Sequence, residues 1–256
     1  MSTANLKILI NSSSRVSSSE SSSNFIIQFP NNIYLQDRRY IRLAYLGMYN
    51  TFYNVNSTNN YINFSVGLNL YTTSITPGIY NANTLASALQ NAMTAQVANT
   101  WSVTYNSTTK FFTISGASAF QLLFSTGANA NVSLWKVLGF ASSNGLSGID
   151  TTSSTSTTST QVVQLTEPLF VYVNMNNISS DQTFTSDGDS FSFVIPIDTQ
   201  GGDYIEINSN ESFDQYIRIP DNITFINSLH ISLSGKNSQP LSLNGSEWIM
   251  ILEFYK

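Results

Sequence analysis

The sequence has no cysteine and few charged residues, and both shortages limit what the protein can be. Without cysteine the chain can form neither a disulfide framework nor a cysteine metal site. Charged residues make up 10% of the chain, against about 25% in a typical globular protein. Asn, Ser and Thr supply the polarity instead, which fits either a turn-rich β protein or a protein that packs large neutral surfaces against neighbours.

Positive charge is especially scarce, because the net charge is −5 and the isoelectric point is near 4.7. Free nucleic acid is therefore a poor partner for the chain as a whole, and we expect no sequence-specific nucleic-acid binding. The basic residues are scattered, except that Arg38, Arg39 and Arg42 follow Asp37 at the start of a predicted strand. This cluster is either solvated charge or a contact for acidic groups on a partner, a lipid or a genome.

Long apolar runs are missing as well. No run approaches the roughly 20 apolar residues that span a bilayer. The apolar segment Leu6–Ile10 is short and is interrupted by Lys7, which does not match the apolar part of a signal peptide. We therefore expect neither a membrane span nor a secretory signal.

Residues that perform catalysis or bind metal ions are few. His230 is the only histidine, and it lies in an apolar strand pattern, which favours a structural role over that of a general base. Asp187-Gly188-Asp189 resembles part of a calcium loop, but the full pattern is absent, so a plain turn is favoured over a cation site. No phosphate-binding loop or dinucleotide motif is present. We predict no enzyme, no cofactor and no metal site.

Short β patterns dominate the rest of the sequence. Outside residues 68–160 we count about eight to ten predicted strands with frequent turns, a spacing typical of sandwiches and barrels. Tyr40–Met48 alternates between two faces, and Trp248–Leu252 is apolar on both faces, which predicts a central, covered strand. The predicted fold class is therefore mainly β, and a single jelly-roll β-sandwich fits best.

Residues 68–160 have a different pattern. One helical face is formed by Leu85, Ala88, Leu89, Ala92 and Met93. Asn81 or Asn83 can cap this helix. Further strands and a second helix over Val132–Leu138 follow, and Gly139 stands where a left-handed residue ends a helix.

These patterns predict a domain organisation. A small α/β insertion domain at 68–160 interrupts a jelly-roll domain made of 24–67 and 161–256. The Ser/Thr-rich segment Asp150–Thr160, which has no hydrophobic pattern, is predicted to be the linker that returns to the main sheets.

Residues 1–23 are predicted to form a flexible, Ser-rich arm, because 11–23 cannot bury enough apolar area to offset its ordering entropy. The apolar end of this arm is expected either to dock on a neighbouring subunit or to fold back on the core of its own chain. The candidate intersubunit contacts are Leu6, Ile8, Ile10, Arg38, Arg39 and Arg42.

Several short motifs occur in a characteristic order along the first 140 residues. They are NFIIQFP at Asn24–Pro30, IYL at Ile33–Leu35, YIRLAYL at Tyr40–Leu46, YNTFYNV at Tyr49–Val55, PGIY at Pro77–Tyr80 and LGF at Leu138–Phe140. In this order and spacing the sequence resembles the penton (minor capsid) proteins of virophages, polinton-like viruses and Maverick/Polinton elements. The remainder of the chain resembles them in architecture alone.

The resemblance implies a single jelly roll, five copies of which surround each icosahedral five-fold axis of a small dsDNA virus or virophage. The implied partners are the other subunits of the homopentamer and trimers of a double jelly-roll major capsid protein, in a virion assembled inside the infected cell. No catalytic residues and no cofactors are implied. The insertion domain would project from the vertex, where it could bind a host receptor.

An alternative is a viral adhesin or fibre-type module that binds a glycan. Its stacking surfaces would be Trp101, Tyr105 and Trp135, although aromatic residues at helix or strand spacing more often belong to a core. A trimeric mass favours the adhesin, and a pentameric mass favours the penton.

Overall fold

The structure is a computed structural model of the 256-residue chain. It describes residues 5–17, 20–166, 168–178, 183–186, 188–208 and 215–256. The chain divides into two compact units. Met1–Phe52 and Pro168–Lys256 together form what we call the discontinuous unit, and Tyr53–Glu167 forms the central unit.

The elements follow in chain order. The first segment of the discontinuous unit contains β1 (Leu6–Asn11), β2 (Asn24–Tyr34) and β3 (Tyr40–Tyr49). The central unit contains β4 (Tyr61–Val66), β5 (Asn69–Ser74), α1 (Ala82–Gln96), β6 (Ser102–Asn106), β7 (Phe111–Leu122), α2 (Trp135–Leu138) and β8 (Ser154–Thr158). The second segment of the discontinuous unit contains β9 (Phe170–Met175), β10 (Thr183–Phe184), β11 (Ser190–Phe191), β12 (Phe193–Pro196), β13 (Tyr204–Asn208), β14 (Tyr216–Arg218), β15 (Phe225–Ser234) and β16 (Ile249–Tyr255). Short 3-10 turns occur at Ser12–Ser14, Ala130–Val132 and Lys236–Ser238.

Two antiparallel sheets enclose the core of the discontinuous unit. Sheet A has the order β1-β16-β3-β13, with β14 also paired to β3, and sheet B has the order β12-β9-β15-β2. Strand alternation directs Ile41 and Leu252 inward from sheet A and Phe25, Val173 and Ile231 inward from sheet B, and all five belong to one hydrophobic cluster. The expected mainly β class is confirmed. As expected, β16 lies between two other strands.

The N-terminal segment lies against sheet A, although the sequence predicted a flexible arm. β1 pairs with β16 from Leu6 opposite Phe254 to Asn11 opposite Ile249. The hydroxyl of Ser12 then accepts a hydrogen bond from the Trp248 N–H at 2.9 Å. Of the two expected outcomes for the apolar end, the structure has the one in which it folds back on its own chain. Hydrogen bonds, rather than apolar burial, also hold Ser13, whose N–H and hydroxyl donate to Oδ1 of Asn11.

The central unit contains one sheet, which we call sheet C, with the order β5-β4-β7-β6 and with β8 also paired to β7. Leu85, Leu89 and Met93 of α1 are buried in the same cluster as residues of sheet C, as the helical periodicity predicted. Asn81 rather than Asn83 caps α1. Its Oδ1 accepts from the Thr84 N–H at 2.9 Å, while the Thr84 hydroxyl accepts from the Asn81 N–H at 3.0 Å.

Three elements differ from their predicted bounds. β4, which the sequence placed in the jelly-roll domain, pairs with β5 and β7, so the central unit begins at Tyr53 and not at 68. β8 lies in the predicted linker and pairs with β7. The second helix is only Trp135–Leu138, but Gly139 ends it at φ 80°, as predicted.

Within the described ranges, the chain contains no helix that is both long and apolar enough to cross a membrane.

Candidate assembly interface

The predicted N-terminal contact residues are largely inside the discontinuous unit. The exposed fraction is 6% for Ile8 and 1% for Ile10, and Leu6 is partly buried against the same core. Leu9, which points to the opposite side of β1, is 62% exposed. On this strand, therefore, Leu9 is the apolar side chain available to a partner, while Ile8 and Ile10 stabilise the fold.

The three arginines of the predicted basic cluster have separate partners. Arg42 extends from β3 onto the outer face of sheet A, where its Nε and Nη2 lie 2.6 Å and 2.5 Å from Oε2 of Glu253. The Nε of Arg39 lies 3.8 Å from Oδ1 of Asp221. Arg38 donates a hydrogen bond to a backbone carbonyl of the β2–β3 turn at 3.4 Å. The cluster is thus substantially engaged within the unit.

Glu253 is a carboxylate on the outer face of sheet A that is only 3% exposed. It accepts a hydrogen bond from Nδ2 of Asn5 at 2.9 Å, and the Nζ of Lys7 lies 3.8 Å away. Burial raises the pKa of Glu253, but the hydrogen bonds from Asn5 and Arg42 and the charges of Arg42 and Lys7 outweigh burial and hold that pKa below its usual range. The Glu253 carboxylate therefore links β16 to Arg42 of β3 on one side and to Asn5 and Lys7 of the N-terminal segment on the other. The sequence signal for this role is that Glu253 is the single acidic residue in an otherwise apolar strand.

A first tyrosine cluster covers one end of the outer face of sheet A. The ring of Tyr40 lies 6.0 Å from that of Tyr216 in an edge-to-face arrangement and 5.6 Å from that of Tyr255 in a stacked one. Tyr216 is 62% exposed. Tyrosine side chains combine a large apolar area with a polar hydroxyl group. Such a surface can face solvent in the free chain and become buried in an assembly.

A second tyrosine cluster covers the other end of β3. The rings of Tyr49 and Tyr204 lie 5.1 Å apart, and the hydroxyls of Tyr45 and Tyr204 lie 3.2 Å apart. The hydrogen bond with Tyr204, and then burial, raise the pKa of Tyr45 to about 12. Gly47 forms the floor beneath them, because a Cβ there would lie 2.0 Å from the hydroxyl oxygen of Tyr204. The missing side chain leaves room above Gly47 for the hydroxyl ends of Tyr45 and Tyr204.

The aromatic residues of the glycan-binding alternative contribute to the core of the central unit. Trp101 is 5% exposed, and its ring lies 5.4 Å from that of Phe64 and 4.9 Å from that of Phe120. Tyr105 and Trp135 are partly buried against the same core. These side chains are therefore engaged in packing and do not form an open stacking surface.

The remaining chemical candidates have structural partners. Nε2 of His230 lies 2.9 Å from Oδ1 of Asn24, an amide on the neighbouring strand of sheet B. Asp189 is 5% exposed and accepts hydrogen bonds from the Asn237 N–H at 2.7 Å and the Ser238 hydroxyl at 2.9 Å, which fixes a loop. Asp187 lies outside the described residues. In the part of the chain that the structure describes, no group of three His, Cys, Asp or Glu could hold a metal ion.

No protein-family model matches the chain, and neither does any curated protein. Among solved structures, the chain is similar to the crystal structure of the mavirus penton protein, with a TM-score of 0.57, 98% of each chain covered and 11% sequence identity. The resemblance to penton proteins that the motif order predicted is confirmed by this match. Similarity at so low an identity establishes a shared fold.

Proposed function

We propose that this protein is a capsid protein that forms the homopentameric penton at the five-fold vertices of a small dsDNA virus or virophage. The observation that supports this most directly is the match to a penton protein over 98% of both chains. Because so little of either chain is left out, the match includes segments of the discontinuous unit and of the central unit. A shared sandwich alone would leave the central unit unmatched.

The strand order supports a single jelly roll in the discontinuous unit. The main strands, numbered one to eight in chain order, are β1, β2, β3, β9, β12, β13, β15 and β16. Sheet A then has the order 1-8-3-6 and sheet B the order 5-4-7-2. Two interlocked Greek keys produce this order in a jelly roll. The central unit is then an insertion between the third and fourth strands.

The surface chemistry is compatible with a ring of identical subunits. Each subunit of a five-membered ring uses two different surfaces, one for each neighbour. Buried subunit contacts favour tyrosine and disfavour isolated charges. Sheet A carries two tyrosine clusters, and its buried carboxylate, Glu253, is ion-paired with Arg42. Both features match the composition of a buried subunit contact.

The location of the chain in a virus particle tests the proposal. Cryo-electron microscopy of particles that contain the chain is expected to place five copies around each five-fold axis, next to trimers of a double jelly-roll capsid protein. Native mass spectrometry of the purified chain is expected to show a pentamer. Five-fold density that belongs to another protein, together with a chain that stays monomeric under capsid-forming conditions, contradicts the proposal.

A further inference from the structure

The outer face of sheet B is built without charged residues. Almost every charged residue of the chain belongs to the discontinuous unit, and the exceptions are Lys110, Lys136, Asp150 and Glu167. Yet β2, β9, β12 and β15 contain no Asp, Glu, Lys or Arg at all. Solvent-facing strands ordinarily use such residues for solubility and to block unwanted contacts. Their absence from one whole sheet calls for a partner that covers it.

Exposed apolar side chains lie on this same face. Ile26 is 37% exposed, Phe170 is 46% exposed and Phe225 is 42% exposed. The ring of Phe225 packs against that of Tyr34, 6.1 Å away, and Tyr34 is 66% exposed. They are spread along the face, with Phe225 and Tyr34 at one end and Phe170 at the other. Single exposed apolar residues are normal, but several of them along a sheet without Asp, Glu, Lys or Arg favour an interaction surface.

The size of the face reaches the lower bound for a specific interface. β2 has 11 residues, β15 has 10, β9 has 6 and β12 has 4. At about 3.4 Å per residue along a strand and about 4.8 Å between strands, the four strands cover about 500 Å². A contact that covers this face buries about 1,000 Å² when both partners are counted, which is about the least that a specific protein interface buries.

The outer face of sheet A has the properties that such a partner needs. It carries both tyrosine clusters and the exposed Leu9. Its central carboxylate, Glu253, is already paired with Arg42 and lies 3.8 Å from the Nζ of Lys7, so an uncharged partner would leave no unpaired carboxylate there. Glu206 lies on the edge strand β13, where it can stay at the rim of a contact.

We propose that the outer face of sheet B binds the outer face of sheet A of a second copy of this chain. The two faces lie on opposite sides of one core. Each subunit can therefore offer one face to each of two neighbours, as a ring requires, and the ring closes when the rotation between neighbours divides a full turn. The inference deepens the proposed penton function by naming the two surfaces that meet. Only the number of subunits in the ring, five, rests on that proposed function.

Two lysine substitutions test the proposal, one on each face. Ser232→Lys places a charge at the middle of the sheet B face, because Ser232 stands between Asn24 and Asn174 in the strand register. Tyr49→Lys places a charge on the sheet A face, where Tyr49 is 52% exposed. Thr104→Lys, on the exposed side of β6 in the central unit, is the matched control. Like charges cannot pair with each other, so the two interface variants create no new attraction.

The expected results in native mass spectrometry and sedimentation velocity are specific to a two-faced contact. Wild type and Thr104→Lys are expected to form the same oligomer, while Ser232→Lys and Tyr49→Lys are each expected to be monomeric. An equal mixture of the two interface variants is expected to form dimers, because one intact face of each kind remains in the mixture. The dimer also shows that both variants are folded.

Other outcomes overturn the inference and leave the proposed function to its own test. Oligomers formed by Ser232→Lys alone or by Tyr49→Lys alone mean that a face associates with itself or that other surfaces carry the contact. A wild type that is monomeric at every concentration also overturns the inference, and the particle map then decides the penton function. If the variants behave as expected but the wild-type oligomer is not a pentamer, the interface stands and the penton function fails.

Discussion

The two units keep a low surface charge by different means. In the central unit, only Lys110, Lys136 and Asp150 are charged between residues 53 and 166. Its exposed polar side chains are amides and hydroxyls, and some of the hydroxyls pair across strands, as those of Thr113 and Thr158 do at 2.9 Å. These groups neither gain nor lose protons, so salt and pH have little to act on there.

The discontinuous unit pairs several of its charges instead. Besides Glu253, the carboxylate of Glu247 receives hydrogen bonds from the Ser12 hydroxyl and from Nη1 of Arg15, the latter at 2.7 Å. Burial raises the pKa of Glu247, but these hydrogen bonds and the charge of Arg15 outweigh it and lower the pKa. Both carboxylates hold the N-terminal segment. In this protein, therefore, charged side chains hold the N-terminal strand β1 in place, while apolar packing and hydroxyl pairs stabilise the central unit.

Core truncations test whether the two units are energetically separate. Leu89→Ala in α1 and Leu252→Ala in β16 each remove a fully buried side chain, and each is expected to cost about 2–5 kcal/mol. Trp101 and Trp135 report on the central unit and Trp248 on the discontinuous unit. In urea unfolding of single-reporter variants, each truncation is expected to move only the fluorescence transition of its own unit. Equal shifts in both signals would mean that the units unfold as one.

Removal of the buried charge is expected to loosen one strand. Glu253→Gln leaves Arg42 without its carboxylate, and the expected loss is about 1–3 kcal/mol. Hydrogen exchange is expected to accelerate most in β1, because the carboxylate that accepts from Asn5 and attracts Lys7 becomes a neutral amide. Glu206→Gln, on the exposed side of β13, is the matched control and should leave β1 protected. Unchanged protection of β1 in Glu253→Gln contradicts the proposed fastening.

Lowering the pH is expected to destabilise the pairing of β1 first. Glu253 and Glu247 both have a lowered pKa in the fold, against about 4.3 in an unfolded chain. The two carboxylates add their full contribution to the free energy of unfolding at pH values above their unfolded pKa. That contribution is lost as the pH falls through their lower folded pKa values, because between the two pKa values the unfolded state binds more protons than the folded state. Hydrogen exchange measured at stepwise lower pH is expected to show β1 opening before α1.

The central unit supplies the internal control for that experiment. Its one carboxyl with a clearly lowered pKa among the described residues is Asp150. Burial raises the pKa of Asp150, but hydrogen bonds from Thr126 and Ser125 outweigh burial. The turn at 125–126 is therefore expected to respond to acid while α1 does not. Loss of protection in α1 and β1 at one and the same pH would remove the contrast between the units.

The smallest predicted effect concerns the cap of α1. Asn81→Ala removes the side-chain acceptor of the Thr84 N–H, with an expected cost of about 0.5–2 kcal/mol. Asn83→Ala, two residues further along the chain, keeps the cap and should be neutral or slightly stabilising, because alanine favours the helix. Thermal unfolding followed through Trp101 and Trp135 compares the two variants. Equal effects would mean that the capping box contributes nothing measurable.

Local patterns were sufficient to predict the elements that bury a regular apolar face. The spacing of Leu85, Leu89 and Met93 predicted α1, and Gly139 marked the end of α2, since backbone geometry at these positions depends on nearby residues. β8 was missed because Ser154–Thr158 has no apolar alternation. It is a strand because the edge of β7 offers hydrogen bonds and matching hydroxyls.

The candidate interface was predicted only in part. Arg42 does lie on the outer face of sheet A, but Ile8 and Ile10 are buried. The alternation in Leu6–Ile10 predicts a strand with one apolar face, yet it does not say which sheet receives that face. The tyrosines of the two clusters come from strands far apart in the chain, so no local pattern could bring them together.

The β class, the helix α1, the central position of β16 and the shortage of charge followed from the sequence, because each depends on composition or on spacing within one element. The sequence left two candidates for the cap of α1, and the structure identified Asn81. The tertiary structure alone decided that β1 folds back beside β16, that Glu253 meets Arg42 across 211 residues of chain, and that β4 belongs to the central unit. These outcomes depend on which distant strand offers hydrogen bonds and a matching face. That choice is made by the free energy of the whole fold and not by any segment of it.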